Sequence, residues 1–379
     1  MSTIKTINVI HPTGVTNNIV NDNAGNVTIG NNLTVTGSTT TSGNETVTGT
    51  VVMGSSFLRN YVINGDMRVA QRGTSAALPV NNSSTYTTLD RFCSYCLTGQ
   101  TGTSSQVASG LTGFQYALRL QRTASNTSTA NIQTGQALET INSIPLAGQS
   151  VTFSFYAKAG ANFSGSGVFI QFATGTGTDQ SFSNMTGSLW TGQSNLINFT
   201  TQAITTTWTR YTFTVSVAST ATQIGFQLGY TPSGTAGASD FVDITGVQIE
   251  VGSVATPFER RQYGQELALC QRYFCKSYNI DVAPGTVTSV GIVSAYAPTT
   301  QTNRPIIPIF FPVTMRTTPT VTAYSPNNGS SGNFYNSDSA VNFAVSSIGT
   351  GSSTTAWYPN GSLTVGVFLQ GHWTAAIEL

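Results

Sequence analysis

ITGVQIEVGSVATPFERRQYGQELALCQRYFCK, residues Ile244–Lys276, is the one place in this chain where a strand pattern hands over to a helix pattern. Val247, Ile249 and Val251 alternate with Gln248, Glu250 and Gly252, the period of a half-buried strand. Pro257 predicts a helix start, because its missing N–H costs nothing in a first turn. From Gln262 the period changes. Tyr263, Leu267, Cys270 and Phe274 fall at i, i+4, i+7 and i+11, one helical stripe, and Leu269 and Tyr273 form a second stripe beside it. Two apolar stripes on one short helix need two covering surfaces. One flanking domain supplies the first, and a neighbouring chain is the simplest source of the second.

Outward from this hinge, both sides read as short strands separated by Gly, Ser and Asn. Upstream, Tyr116–Arg122, Val151–Lys158, Val168–Ala173, Thr209–Val217, Gln223–Gly229 and Phe241–Val251 alternate apolar and polar residues. About two hundred residues of such strands with no competing helix predict a β-sandwich over 57–256, of the jelly-roll kind. Downstream, Ile306–Val313, Thr318–Tyr324, Ala340–Val345, Ser362–Leu369 and Thr374–Leu379 predict a second, smaller β-sandwich over 278–379. The helical linker between them is 257–277.

The N-terminal part differs. Residues 1–24 read as a short extended anchor. Residues 25–54 divide without a gap into five hexads: GNVTIG, NNLTVT, GSTTTS, GNETVT and GTVVMG. Positions three and five hold Val27 and Ile29, Leu33 and Val35, Thr39 and Thr41, Glu45 and Val47, and Val51 and Met53. Residues two apart share one strand face, and Gly or Asn supplies the corner. Five hexads make fewer than two turns of a single-chain β-helix and cannot cap themselves. Three chains side by side close a triangular prism, so 25–56 is read as a trimeric β-shaft. A flexible linker has no need of periodic Val, Leu and Ile. Val27, Ile29, Leu33, Val35, Val47 and Val51, with Tyr263, Leu267, Cys270 and Phe274, are the candidate trimer-interface residues. The expected class is all-β.

Only 8% of the 379 residues are charged and the net charge is +1, against about 25% charged in an ordinary domain. No basic patch is available for a polyanion, which argues against nucleic-acid binding. No apolar run reaches signal-peptide or membrane-span length, so synthesis in a cytoplasm without membrane insertion is expected. Cys93-x-x-Cys96 with Cys270 and Cys275 admits a zinc reading. Residues three apart on a strand point to opposite faces, which favours inert thiols.

An enzyme needs a constellation of groups. The two histidines, His11 and His372, lie at opposite ends of the chain. The acids available to a glycosidase pair are Asp66, Asp90, Glu139, Asp179, Asp240, Asp243 and Glu250. No nucleophile–base set stands out, and no cofactor is implied. Recognition of sugars is the better chemistry, by stacking on exposed aromatics among amides and hydroxyls. Trp190 in NMTGSLWTGQSN, Trp357 and Tyr358 in TTAWYPNGS, and Trp373 beside His372 are the glycan-binding candidates. Trp208, preceding a strand, is expected in the core.

QIEVGSVATPFERR followed by YGQELALCQRYF resembles a segment of bacteriophage tail-fibre and related virion surface proteins. NYVINGDMRVAQRG (60–73) with Leu89-Asp90-Arg91-Phe92, and GHWTAAIEL (371–379), resemble the beginning and end of the same modules. The resemblance spans roughly 57–379. It implies a virion structural protein that touches the host, and says little about the ligand. With the hexads and the loop aromatics, the expected partners are two further copies of the chain, baseplate or tail proteins through the N-terminus, and a host surface polysaccharide. A fibre on the phage head and a polysaccharide depolymerase are the alternatives. The strand order is also similar to jelly-roll carbohydrate-binding modules. In such modules an acid near the last strand helps hold calcium, which would make Asp240 and Asp243 candidates here; a plain strand-end acid is the competing reading.

Overall fold

A computed structural model of the chain describes residues 19–21, 27–29, 58–81, 84–304 and 307–379. In the first unit, Met1–Met53, β1 (Ile19–Asn21) and β2 (Val27–Ile29) pair antiparallel, with Ile19 opposite Ile29. The expected anchor otherwise, and Leu33, Val35, Val47 and Val51 of the expected shaft, lie outside the described residues.

The second unit is Gly54–Leu379. Its first eleven strands are β3 (Ser75–Ala77), β4 (Cys93–Cys96), β5 (Gly102–Ala108), β6 (Tyr116–Arg122), β7 (Ile132–Ala137), β8 (Ser150–Ala159), β9 (Val168–Gly175), β10 (Ser194–Gln202), β11 (Thr209–Ser216), β12 (Gln223–Tyr230) and β13 (Phe241–Val251). They form two antiparallel sheets, one of order β10-β9-β12-β7-β4 and one of order β11-β8-β13-β6-β5-β3. From β6 to β13 the chain crosses repeatedly from one sheet to the other, the jelly-roll path expected from the strand spacing. The alternating residues anticipated as inward do face inward. Phe153 of β8 meets Phe172 of β9 at 5.7 Å and Phe226 of β12 at 5.0 Å, ring centre to ring centre, across the two sheets. Val151, Phe155, Val242, Ile244 and Ile249 complete the same core.

The hinge stretch departs from its reading at both ends. Pro257 starts no helix. Helix α3 is Tyr263–Gln271, preceded by Gln262, because side chains pin 256–261 in extended form along Leu58–Val62. Glu259 accepts from the Leu58 and Asn60 amides, and Arg261 donates to the Asn60 and Val62 carbonyls. At the other end Phe274 is not helical. It opens β14 (Phe274–Lys276), which pairs with the last strand. The helix-plus-strand register buries Cys270, Tyr273 and Phe274 within their own chain. Cys270 and Phe274 are therefore corrected as trimer-interface candidates. Leu267 and Leu269 are half-buried against the same cluster, and only Tyr263 stands 43% exposed.

The remaining strands are β15 (Val293–Tyr296), β16 (Gln301–Thr302), β17 (Ile307–Phe310), β18 (Thr320–Tyr324), β19 (Asn333–Asn336), β20 (Val341–Ile348), β21 (Thr354–Pro359), β22 (Ser362–Leu363) and β23 (Phe368–Ala376). β23 organises them, pairing with β14, β15, β18 and β19 along its length. The single strand expected over Ser362–Leu369 is broken by a turn in which Gly366 takes a positive φ of 95°.

Three separated stretches knit this unit together. Gly65 packs against the Val247 carbonyl so closely that an added Cβ would sit 2.2 Å from its oxygen. Asn64 donates to the Val69 and Asp90 carbonyls, and its amide donates to Glu266 of α3. Arg72 bridges Asp90 and Glu378, and Arg91 pairs with Glu378 while stacking 3.6 Å from the Tyr273 ring centre. Tyr86 donates to the Leu379 carbonyl at 2.9 Å. Asp90 sits deep enough that burial, partly countered by Arg72, lifts its carboxyl to about 6.

Candidate functional site

The structure first relocates the aromatics. Trp190, Trp357 and Trp373 are 3%, 3% and 5% exposed and cannot stack on a sugar as they stand. Strand alternation turns Trp357 inward against Phe334, and Trp373 packs on Phe311. Trp190 is rolled inward by a helical turn, α2 (Phe182–Thr186), whose N-cap Ser181 accepts from the Asn184 amide. The Trp190 indole then donates to the Ser181 carbonyl at 2.9 Å. Trp208, expected in the core, is instead half-buried, with Lys158 Nζ 5.0 Å from its ring centre. Tyr358 is half-exposed.

The acids are spent internally. Asp66, Asp90, Glu139, Asp179, Asp240, Asp243 and Glu250 each pair with an arginine: Arg68, Arg72, Arg272, Arg316, Arg122, Arg119 and Arg59 in turn. Asp240 and Asp243 are corrected as calcium ligands for this reason. Asp240 accepts from Arg122 and from the Ser164 amide and hydroxyl, and Asp243 takes a bidentate Arg119. Cys93 packs on the outer side of its sheet and Cys96 in the sandwich core, the split that strand period dictates. All four thiols are free and buried. Burial pushes the Cys275 thiol up to about 12 and the Cys270 thiol well above its usual value.

The outer face of the five-stranded sheet is polar, with Gln171 and Gln227 side by side on neighbouring strands. It is closed. Phe182, Met185 and Trp190 lie over Gly135, Gly175 and Gly225; an added Cβ would collide at Gly135 and Gly225 and be crowded at Gly175. The side-chain carbonyl oxygens of Gln171, Gln223 and Gln227 have no hydrogen-bond partner there.

An open cleft of about 230 Å³ lies elsewhere, where the sandwich, α3 and the turn after β14 meet. Gln106 of β5 and Gln115 and Tyr116 at the start of β6 form one wall. Tyr263, the first residue of α3, forms another. Arg68, Thr74, Ile280 and Asp281 complete it. The polar side chains are held in place. Arg68 donates to the Arg261 carbonyl at 2.8 Å and pairs with Asp66. Gln106 donates to the Met67 carbonyl at 2.6 Å, and Gln115 to the Tyr116 hydroxyl at 3.1 Å. Lys276 fixes the turn by donating to the Gln71, Ile280 and Val282 carbonyls. Burial brings its amine down to about 8. Burial also raises the Tyr263 phenol, so it stays a neutral donor.

Two tyrosine rings, two glutamine side-chain carbonyls and an exposed carboxylate suit an amphipathic, hydroxyl-rich ligand. The lining has no histidine, cysteine or lysine. The sequence named Tyr263, but for another role. Tyr116, Gln106, Gln115 and Asp281 went unnoticed, since only folding brings residues 74, 106, 116, 263 and 281 together.

No known sequence family matches this chain, and no curated protein matches it. Among solved structures it is similar to a CBM4 module at 14% identity and a TM-score of 0.30, covering 50% of this chain and 98% of that one. It is similar to the CBM22-1 xylan-binding domain from Paenibacillus barcinonensis at 13% identity and a TM-score of 0.28, covering 49% and 99%. It is also similar to the enzymatically active domain of tailspike protein 4 of bacteriophage CBA120, at 12% identity and a TM-score of 0.30, covering 51% and 21%. The class defined by the sheets of this chain itself is an all-β, jelly-roll β-sandwich protein with an appended C-terminal β-unit.

Proposed function

We propose that this chain is a non-catalytic virion fibre, made in the host cytoplasm, that binds a host-surface glycan in the cleft between Tyr116 and Tyr263. The observation that carries this reading is the cleft itself, with two partly exposed rings set among fixed amides. The pairing of every candidate catalytic acid in the sandwich supports binding over cleavage. The hexads, and the resemblance of residues 57–379 to tail-fibre modules, support a trimeric fibre. One ring stack and a few hydrogen bonds make each site weak, since they offset little more than the cost of ordering. Three sites on one fibre raise apparent affinity by about 10²–10⁴.

Tyr263→Ala and Tyr116→Ala, separately, are expected to cut binding of the full-length protein to host cells at least about tenfold, since loss per site multiplies in a trimer. The unfolding midpoint should barely move in Tyr263→Ala; Tyr116 packs half-buried against the sandwich core, so Tyr116→Ala is measured on folded protein well below its midpoint. Binding should change little with salt. Cell binding equal to wild type in both variants would remove the cleft from consideration. Antibody labelling of intact particles separates tail from head placement.

A further inference from the structure

We propose that the C-terminal strands carry a second sugar site, a slot between β18 and β20 that takes a neutral acetamido sugar by its carbonyl, through the indole edge of Trp357. The slot has a volume of about 300 Å³ and is walled by β18 and β20, with Trp357 of β21 between them. It is separate from the cleft at Tyr116 and Tyr263. Neither the sandwich, with its short helices α1 (Thr140–Ser143) and α2, nor α3 contributes a residue to it.

The slot exists because two neighbouring strands do not pair. β18 forms its ladder with β23. β20 leaves β19 at Ala344, and from Val345 to Ile348 it pairs with β21. Gly332 joins β18 and β20 at one point. Its amide donates to the Ala323 carbonyl at 2.9 Å, and its carbonyl accepts from the Val345 amide at 3.0 Å. A positive φ of 76° lets Gly332 make this link, and a Cβ there would point into open space. Past that link no ladder joins the two strands among the described residues, and the space between them is the slot.

The lining selects the ligand. Trp357 is packed on Phe334 and offers no ring face to a sugar. Its Nε1 is buried and has no hydrogen-bond partner. An indole N–H can only donate, and a buried donor left unpaired is rare in a folded protein, so this edge calls for an acceptor. Thr322, Ser346 and Ser347 are half-buried, and their hydroxyls make no hydrogen bond among the described residues. No charged residue lines the slot. A carboxylate, phosphate or ammonium group would therefore lose its water with nothing to compensate it. Val321 and Val345 supply apolar contact. A donor edge beside small apolar side chains and free hydroxyls fits an acetamido group on a sugar. The carbonyl accepts from Nε1, the methyl rests on the valines, and ring hydroxyls meet Ser346, Ser347 and Thr322.

The test uses the full chain and two free sugars, N-acetylglucosamine and glucose, which differ only at the acetamido group. Saturation-transfer NMR should show the acetyl methyl in contact with the protein, and N-acetylglucosamine should bind about tenfold tighter than glucose, the worth of one hydrogen bond. Trp357→Phe keeps an aromatic ring against Phe334 and removes the donor. It should erase that preference while leaving glucose unchanged. Thr322→Val/Ser347→Ala alters only half-buried positions, so it covers the case in which the Trp357 variant does not fold, and it should weaken both sugars. Equal binding of the two sugars by wild type, or binding of neither, would overturn the proposal. So would an unchanged preference in Trp357→Phe, the result if a water alone meets the indole, or unchanged affinities in the double variant. A methyl signal lost in Tyr263→Ala but kept in Trp357→Phe would place the acetamido sugar in the cleft and overturn this site. Cell binding equal to wild type in the Tyr116 and Tyr263 variants removes the cleft alone and leaves this site standing.

Discussion

His372 illustrates what a single side chain is used for here. It is fully buried and stacks on Tyr278 with ring centres 3.7 Å apart. The Thr288 carbonyl can only accept, so Nε2 carries the proton at 3.0 Å from it. Nδ1 is then an acceptor and takes the Ser277 hydroxyl at 3.0 Å. The same Ser277 oxygen accepts from the Trp373 amide. Protonation breaks this chain of bonds, and burial holds the imidazole below its ordinary value. With a folded-state value below the unfolded one, the stabilisation is present above about pH 6.5 and is lost as pH falls through the folded value. Asp90, raised to about 6, acts in the opposite sense over an overlapping range. The informative quantity is therefore the difference between wild type and His372→Gln. The variant should be less stable at pH 8, and the gap in unfolding midpoint should narrow towards pH 5. A gap independent of pH would mean that His372 does not titrate with folding.

At the scale of the element, the segment from α2 to Trp190 is a plug. Trp190, Phe182 and Met185 fill the space above glycines on the outer face of the five-stranded sheet. Truncating a buried tryptophan costs about 3–5 kcal/mol. Trp190→Ala should thus lower the unfolding midpoint sharply. The same folded protein, measured well below its midpoint, should bind cells as wild type does. Loss of binding without loss of stability would restore Trp190 as a ligand residue. Helix α3 is a second case. Its stripe was legible, but its cover comes largely from the sandwich of its own chain, through Tyr273, Cys270 and the Arg272–Glu139 pair. Periodicity reports that a face is buried and is silent about which surface buries it.

At the scale of the whole molecule, scarce charge is spent as internal staples. Arg91, 1% exposed, is held by Glu378 and the Ala137 carbonyl, so the last residues are tied to the sandwich. Removing one partner of a buried pair costs about 3–5 kcal/mol. Glu378→Ala should lower the midpoint of the entire Gly54–Leu379 unit while leaving one cooperative transition. Two separated transitions would mean that the sandwich and the C-terminal sheet unfold independently. Deleting residues 25–54 should leave that unit folded, because its core lies within 58–379.

The sequence by itself determined the strands, because alternation along a strand is a local property: β6, β8, β9, β11, β12 and β13 fall within two residues of where the pattern puts them. It also determined that Cys93 and Cys96 face opposite ways. Only the tertiary structure decided which aromatics meet solvent. Trp357 and Tyr358 are neighbours in one strand, and which of the two faces the core depends on the sheet packed behind it. The cleft belonged wholly to that level. Its walls come from residues 68–281, and their approach depends on ion pairs and glycine contacts between segments up to some three hundred residues apart, which no local pattern records.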